Sequence, residues 1–147
     1  MSVPATGDIV DVLIAQHQEL IDNLDDVRRS RGGPRADAFA LLQVLLRAHE
    51  QGEQEVVHPV TRGLVDDPET VFERVREEQG LDLSLSELRG LDLDGAEFDR
   101  RFHAFRDAMI AHLGWEERVE FPGLRARRTA EQLFAMANEL RAVQAIR

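Results

Sequence analysis

From Val10 the apolar positions recur three and four apart, through Leu13, Ile14, Leu20, Ile21 and Leu24, with His17 inside the same stripe. That spacing predicts an amphipathic helix over about residues 8–30. Arg31-Gly32-Gly33-Pro34 breaks the pattern, and a second helix from about Ala36 carries Leu42, Leu45, Leu46, His49, Glu53, Val56 and Val60 on one face. Asp67-Pro68 reads as a helix start, an Asp able to cap followed by Pro at the first helical position, with Phe72, Val75 and Gln79 along one side. Gly80 interrupts this third stretch and Leu81 to Ser86 alternates as a strand would, but a single strand without a partner is unstable, so the segment is assigned as helix. Asp94 and Glu97 have the spacing of a capping box before a fourth stripe of Phe98, Phe102, Phe105, Met109, His112 and Glu116. Thr129 and Gln132 have it again before a shorter helix over about 129–146, with Leu133, Phe134, Met136, Ala137 and Leu140 on its apolar side. The elements predict an all-α fold: an antiparallel up-down-up-down four-helix bundle with an additional C-terminal helix packed outside it or against a partner. Residues 1–147 read as one domain, with the bundle core at about 8–125.

The polar residues inside those stripes carry the chemistry. His49-x-x-x-Glu53 followed by Pro59 recurs as His112-x-x-x-Glu116 followed by Pro122, at an offset of 63 residues. On a helix, residues four apart lie on one face, so each copy can aim an imidazole and a carboxylate at a common point. Each half of the chain is then one helix followed by a helix with His-x-x-x-Glu, and the counterpart of His17 falls near position 80, where Gln79 stands. Three histidines and two glutamates facing a core need a common counter-charge, because an ionised carboxylate buried without a partner costs several kcal/mol. A bound metal cation supplies it, and His17, His49, Glu53, His112 and Glu116 are the candidate ligands. The alternative is a metal-free network in which each histidine pairs with its own glutamate.

Other polar residues are set aside. His58 and His103 are each nine residues from a candidate histidine, which at about 100° per residue turns them to the opposite face. Glu55 and Glu120 read as solvent-facing, and Glu50 and Glu117 as solvated glutamates within reach of the site. Trp115 and the phenylalanines of the fourth helix read as core.

Composition narrows the function classes. With no Cys, a metal site must use nitrogen and oxygen ligands, and disulfides, iron–sulfur clusters and cysteine nucleophiles are excluded. All 18 basic residues are Arg, so a Schiff-base lysine is excluded too. A net charge of −10 argues against binding a nucleic-acid backbone, and Arg125, Arg127 and Arg128 read as a solvated loop. No apolar run approaches the roughly 20 residues of a membrane span, and the first eight residues lack the marks of a secretory signal, so a cytoplasmic location is expected. The serines, Ser2, Ser30, Ser84 and Ser86, have no histidine base in view, and a phosphate-binding glycine loop is absent.

His17, His49 with Glu53 before Pro59, and His112 with Glu116 before Pro122 together resemble the hemerythrin-like family of histidine/histidine/glutamate cation-binding domains, over about residues 8–125. The resemblance implies a non-haem di-iron centre bridged by two carboxylates, with an open position for dioxygen, peroxide or nitric oxide. It makes His17, His49 and His112 terminal ligands and Glu53 and Glu116 bridges. The family has a histidine on its third helix, where this chain has Gln79, a far weaker ligand, so the resemblance leaves one or two irons open, with Glu78 or Asp82 as substitutes if Gly80 lets the helix shift. Imidazole with carboxylate suits iron but also manganese, zinc or copper. Peroxide decomposition is the simplest enzymatic reaction for such a centre. A regulatory or interaction module, whose metal state controls what the acidic surface or the C-terminal helix binds, is the other class of function. The chain has no Tyr, so no tyrosyl radical or tyrosine ligand takes part.

Overall fold

The computed structural model describes residues 7–62 and 68–145, and among them every element is helical. α1 (Ile9–Arg29) is opened by a capping box, with Asp8 accepting from the Asp11 amide at 2.9 Å and Asp11 accepting from the Asp8 amide at 3.3 Å. α2 (Gly32–Gly52) follows after two residues, so the predicted break is tighter than the sequence implied. Gly32 takes φ 61°, a conformation that side chains disfavour, and Pro34 fits in the first turn. α2 then widens into a π-turn (Glu53–Val57) and resumes as α3 (His58–Thr61). α4 (Pro68–Arg89) passes straight through Gly80, and it buries Glu78, Leu81, Leu85 and Leu88 while Leu83 is exposed. The apparent alternation is thus one helical face at i, i+4, i+7. Asp67, the expected cap, lies outside the described residues.

α5 (Ala96–Trp115) is not opened by the predicted capping box. Gly95 is its N-cap without a side-chain bond, and Asp94 instead accepts from the Gly32 amide at 3.0 Å, tying the α1–α2 turn to the α4–α5 turn. A second π-turn (Glu116–Glu120) leads into α6 (Phe121–Arg127). α7 (Ala130–Ala145) has the capping box expected of Thr129 and Gln132, with bonds of 3.1 and 2.9 Å.

The helices form a bundle in which α1 packs on α2, α5 and α7, α4 on α5, and α2 on α7. Two apolar clusters fill it. One joins Leu20, Leu24, Leu42 and Leu46 to Leu81, Leu85 and Leu88 of α4 and to Phe98, Phe102, Phe105, Met109 and Leu113 of α5. The other joins Ile9, Val12 and Leu13 to Val56, Val57, Phe121 and Leu124 and to Leu133, Met136, Ala137 and Leu140 of α7. Ile14, Phe72 and Phe134, assigned to apolar stripes, are exposed; Phe72 carries the Arg62 guanidinium 5.0 Å above its ring. On α1 the clusters leave a gap between Leu13 and Leu20, on α2 between Leu46 and Val56, and beyond α5 between Leu113 and Phe121. The polar residues of the next section occupy that gap.

Candidate metal centre

His17, His49, Glu53, His112 and Glu116 are all buried and meet in one layer between the apolar clusters. Among the described residues, ligand atoms of His17, His49, Glu53 and Glu116 lie within 4.8 Å of one another, as do those of Glu53, Glu78, His112 and Glu116, and those of His58, Glu116 and Glu120. The first two sets share Glu53 and Glu116. Gln79 is exposed and contributes nothing; Glu78 takes the inward position, as one of the substitutes weighed for α4, without any break at Gly80.

Four imidazoles are held alike. The Nδ1 atoms of His17, His49, His58 and His112 lie 2.7, 2.9, 2.8 and 3.0 Å from acceptor oxygens of Glu117, Gln16, Glu120 and Glu77. Donation from Nδ1 fixes the tautomer and leaves Nε2 facing the layer, the arrangement in which an outer acceptor orients a metal-binding histidine. On the inner side, Nε2 of His17 is 3.1 Å from Glu116, Nε2 of His49 is 3.3 Å from Glu53, and Nε2 of His112 is 3.0 Å from Glu78 and 3.3 Å from Glu116.

The arrangement is pseudo-twofold. Gln16 supports His49 as Glu77 supports His112, and Gln54 reaches Glu78 at 3.5 Å as Glu117 reaches His17. Glu78, not Gln79, is therefore the structural counterpart of His17, at an offset of 61 residues against 63 for the His-x-x-x-Glu helices.

The two π-turns account for the inward positions of His58 and Phe121. Pro59 and Pro122 lack an amide hydrogen, and inside an α-helix a proline ring presses on the carbonyl four residues back; a wider turn just before each one relieves the clash. The His58 amide bonds the Glu53 carbonyl and the Phe121 amide the Glu116 carbonyl, five residues back, so His58 stacks under Glu53 and Phe121 under Glu116. Uniform rotation puts His58 on the opposite face, yet it is 1% exposed and points inward. Glu120, expected to face solvent, is fully buried, accepting from His58 and from Thr61 Oγ1 at 2.6 Å. Its spacing of four from Glu116, the same as His112 to Glu116, was the available signal. Glu50 is buried as well, beside Asp82 at the edge of a cavity of about 520 Å³ lined also by Arg47, Ser86 and Arg89. Glu117 is part-exposed as expected, and His103 and Glu55 face solvent. Trp115, assigned to the core, is only half-buried under Arg74, whose guanidinium is 4.9 Å above the ring.

Sequence similarity decides the family: the family model for the hemerythrin HHE cation binding domain matches residues 8–124. The chain belongs to the hemerythrin HHE family. No curated protein and no solved structure is significantly similar to it. The hemerythrin match ends before α7, which nonetheless packs against α1 and α2.

The residues of this hemerythrin-type layer fit a cation. Nε2 of His17 and His49 and both oxygens of Glu53 and Glu116 are buried with no hydrogen-bond partner. Leaving such atoms unpaired is expensive, and coordination would satisfy them together. Protonation shows the same conflict. Burial, reinforced by His17, lowers the His49 pKa to about 3, so its imidazole is neutral and free to coordinate. Burial drives Glu53 well above the usual carboxylate range, with Glu116 and Glu78 pushing the same way. Burial opposes charge on His58 and His112 too, but the carboxylates beside them, Glu120 and Glu78 for the one and Glu116 and Glu78 for the other, outweigh it and raise them to about 10 and about 11. Those protons occupy the positions that a cation would take.

Proposed function

We infer that this hemerythrin-type chain binds two iron ions in an up-down-up-down bundle and uses them to bind, sense or decompose a small oxygen species such as dioxygen, peroxide or nitric oxide. One observation carries the reading: Glu53 and Glu116, one from each half of the repeat, each present two buried unpartnered oxygens and each belong to both four-residue ligand sets. A carboxylate with both oxygens free, between the His17–His49 pair on one side and His112 with Glu78 on the other, is suited to bridging. His17 and His49 would hold one iron and His112 and Glu78 the other, with Glu53 and Glu116 common to both.

Bound iron would supply redox cycling and a position for a diatomic or peroxidic ligand. The chain's own residues do the rest. Gln16, Glu77 and Glu117 keep the proton of each imidazole on Nδ1, so that Nε2 stays available. The apolar clusters on either side, with Phe121 stacked on His17 at 5.5 Å, keep bulk water from the layer and limit the site to small ligands.

Elemental analysis after anaerobic loading with Fe(II) and desalting tests the reading, with optical spectra recorded before and after admission of air. About two irons per chain and a new visible charge-transfer band in air are expected. One iron per chain would overturn the dinuclear assignment, and none would overturn iron binding altogether. Consumption of added peroxide over many turnovers separates an enzyme from a sensor, which changes spectrum once and stops.

A further inference from the structure

We propose that His58 is a metal ligand, supplying from the far side of the first π-turn the imidazole that α4 lacks. The inference rests on the dinuclear reading above and names the group that completes its second half. Glu78 and Phe121 are the pseudo-twofold mates of His17 and His58. At one end of the layer His17 stacks on Phe121; at the other, Glu78 faces His58, with His58 Nε2 3.3 Å from Glu78 Oε2. An imidazole and an apolar ring have thus been replaced by a carboxylate and an imidazole. The histidine missing from α4 is present at this end, one helix away.

The surroundings of His58 are built for it. Glu120 Oε2 accepts from His58 Nδ1 at 2.8 Å and is held in turn by the Thr61 hydroxyl at 2.6 Å, so the ring is fixed with Nε2 turned inward, as in His17, His49 and His112. The mates of Glu120 and His58 are Val57 and Phe121, both buried and apolar. The polar support therefore exists only where the imidazole does. His58 also lies within 4.8 Å of Glu116, the carboxylate common to both ligand sets, and Glu120 leaves Oε1 unpartnered in the same place. A core histidine satisfied through Nδ1 would not need to turn Nε2 toward the Glu78 carboxylate, 3.3 Å away.

The test is His58→Phe, which installs the residue found at the mate position and so preserves ring shape. Apo protein is reconstituted anaerobically with Fe(II), and iron per chain is measured beside the circular dichroism of the apo form. The expected result is a fall from about two irons to about one with helicity unchanged, while Thr61→Val, which keeps the imidazole, retains about two. Two irons in His58→Phe would overturn the proposal. If His58→Phe does not fold, X-ray absorption on the iron-loaded natural chain decides: an average of two imidazoles per iron, four per chain, supports His58 as a ligand, and three per chain overturns it. Failure of the natural chain to take up two irons would instead refute the dinuclear reading on which the inference rests.

Discussion

Glu53 is 1% exposed and neither of its oxygens has a hydrogen-bond partner. Without metal that carboxyl is a burden on the fold, because its desolvation is uncompensated and Glu116 and Glu78 stand nearby. Glu53→Leu should therefore stabilise the metal-free protein, by about 1–3 kcal/mol, and remove the rise in melting temperature that iron gives the natural chain. Calorimetry with and without Fe(II) checks both, and a less stable apo variant would contradict the account. Asp8, at the start of α1, is the opposite case. Partial burial raises its pKa, but the Arg125 guanidinium 3.0 Å away and the amide bonds of the cap prevail and lower it from 3.8. A carboxylate with a lower pKa in the folded state contributes in full above the unfolded value, and the contribution disappears as pH falls through the lowered value. Asp8→Asn keeps an acceptor for the Asp11 amide and loses the ion pair. It should be less stable near neutral pH by about 0.5 kcal/mol, a small figure because the Arg125 side of the pair is open to solvent. Melting temperatures of the two proteins should converge as pH drops below about 3.8. A gap that widens in acid would show that the ion pair is not its source.

At the scale of elements, two helical glycines divide by what lies beyond them. A Cβ on Gly80 would meet nothing within 4 Å, so Gly80→Ala should stabilise α4 by about 0.8–1 kcal/mol through helix propensity alone. A Cβ on Gly52 would lie 2.2 Å from Leu140 Cδ1, and Leu140 is fully buried in the contact of α2 with α7. Gly52→Ala should cost about 1–3 kcal/mol by overpacking. Urea denaturation of the pair reads both signs, and equal effects would mean that α7 does not dock as described. The same scale shows what the sequence made legible. The helical stripes of α1, α2 and α5 could be read because their histidines and glutamates keep the apolar period, which is also why His17, His49, Glu53, His112 and Glu116 could be grouped. α4 was read in the wrong phase because Phe72 and Val75 suggested a face, whereas Leu81, Leu85 and Leu88 define it and place Glu78 inward. His58 was missed because one extra residue per π-turn shifts everything beyond it by about 100°, which no constant period can show. The proline after each repeat was the local sign of that shift.

Across the whole molecule, the two halves share one plan around the polar layer, and α7, which packs on α1 and α2, sets the first half apart further. It fills out the apolar cluster beside Phe121 and then reaches the layer itself through Gln144. Gln16 Nε2 donates to Gln144 Oε1 at 2.9 Å, while Gln144 Nε2 donates to Gln16 Oε1 at 3.1 Å and to the Ala48 carbonyl at 3.2 Å. This reciprocal amide pair fixes Gln16 with Oε1 toward His49 Nδ1, 2.9 Å away. The His112 end has Glu77 in the corresponding place, already ionic and needing no such clamp. Gln144→Ala should leave the bundle folded, since Leu133, Met136, Ala137 and Leu140 still anchor α7, but free Gln16 to turn and His49 to change tautomer. Loss of an outer partner of this kind typically costs about 10–100-fold in metal affinity. Competition with a chromophoric chelator should show that loss in one of two binding steps, because the Glu77 end is untouched. Equal weakening of both steps would mean that α7 acts on the layer as a whole and not through His49.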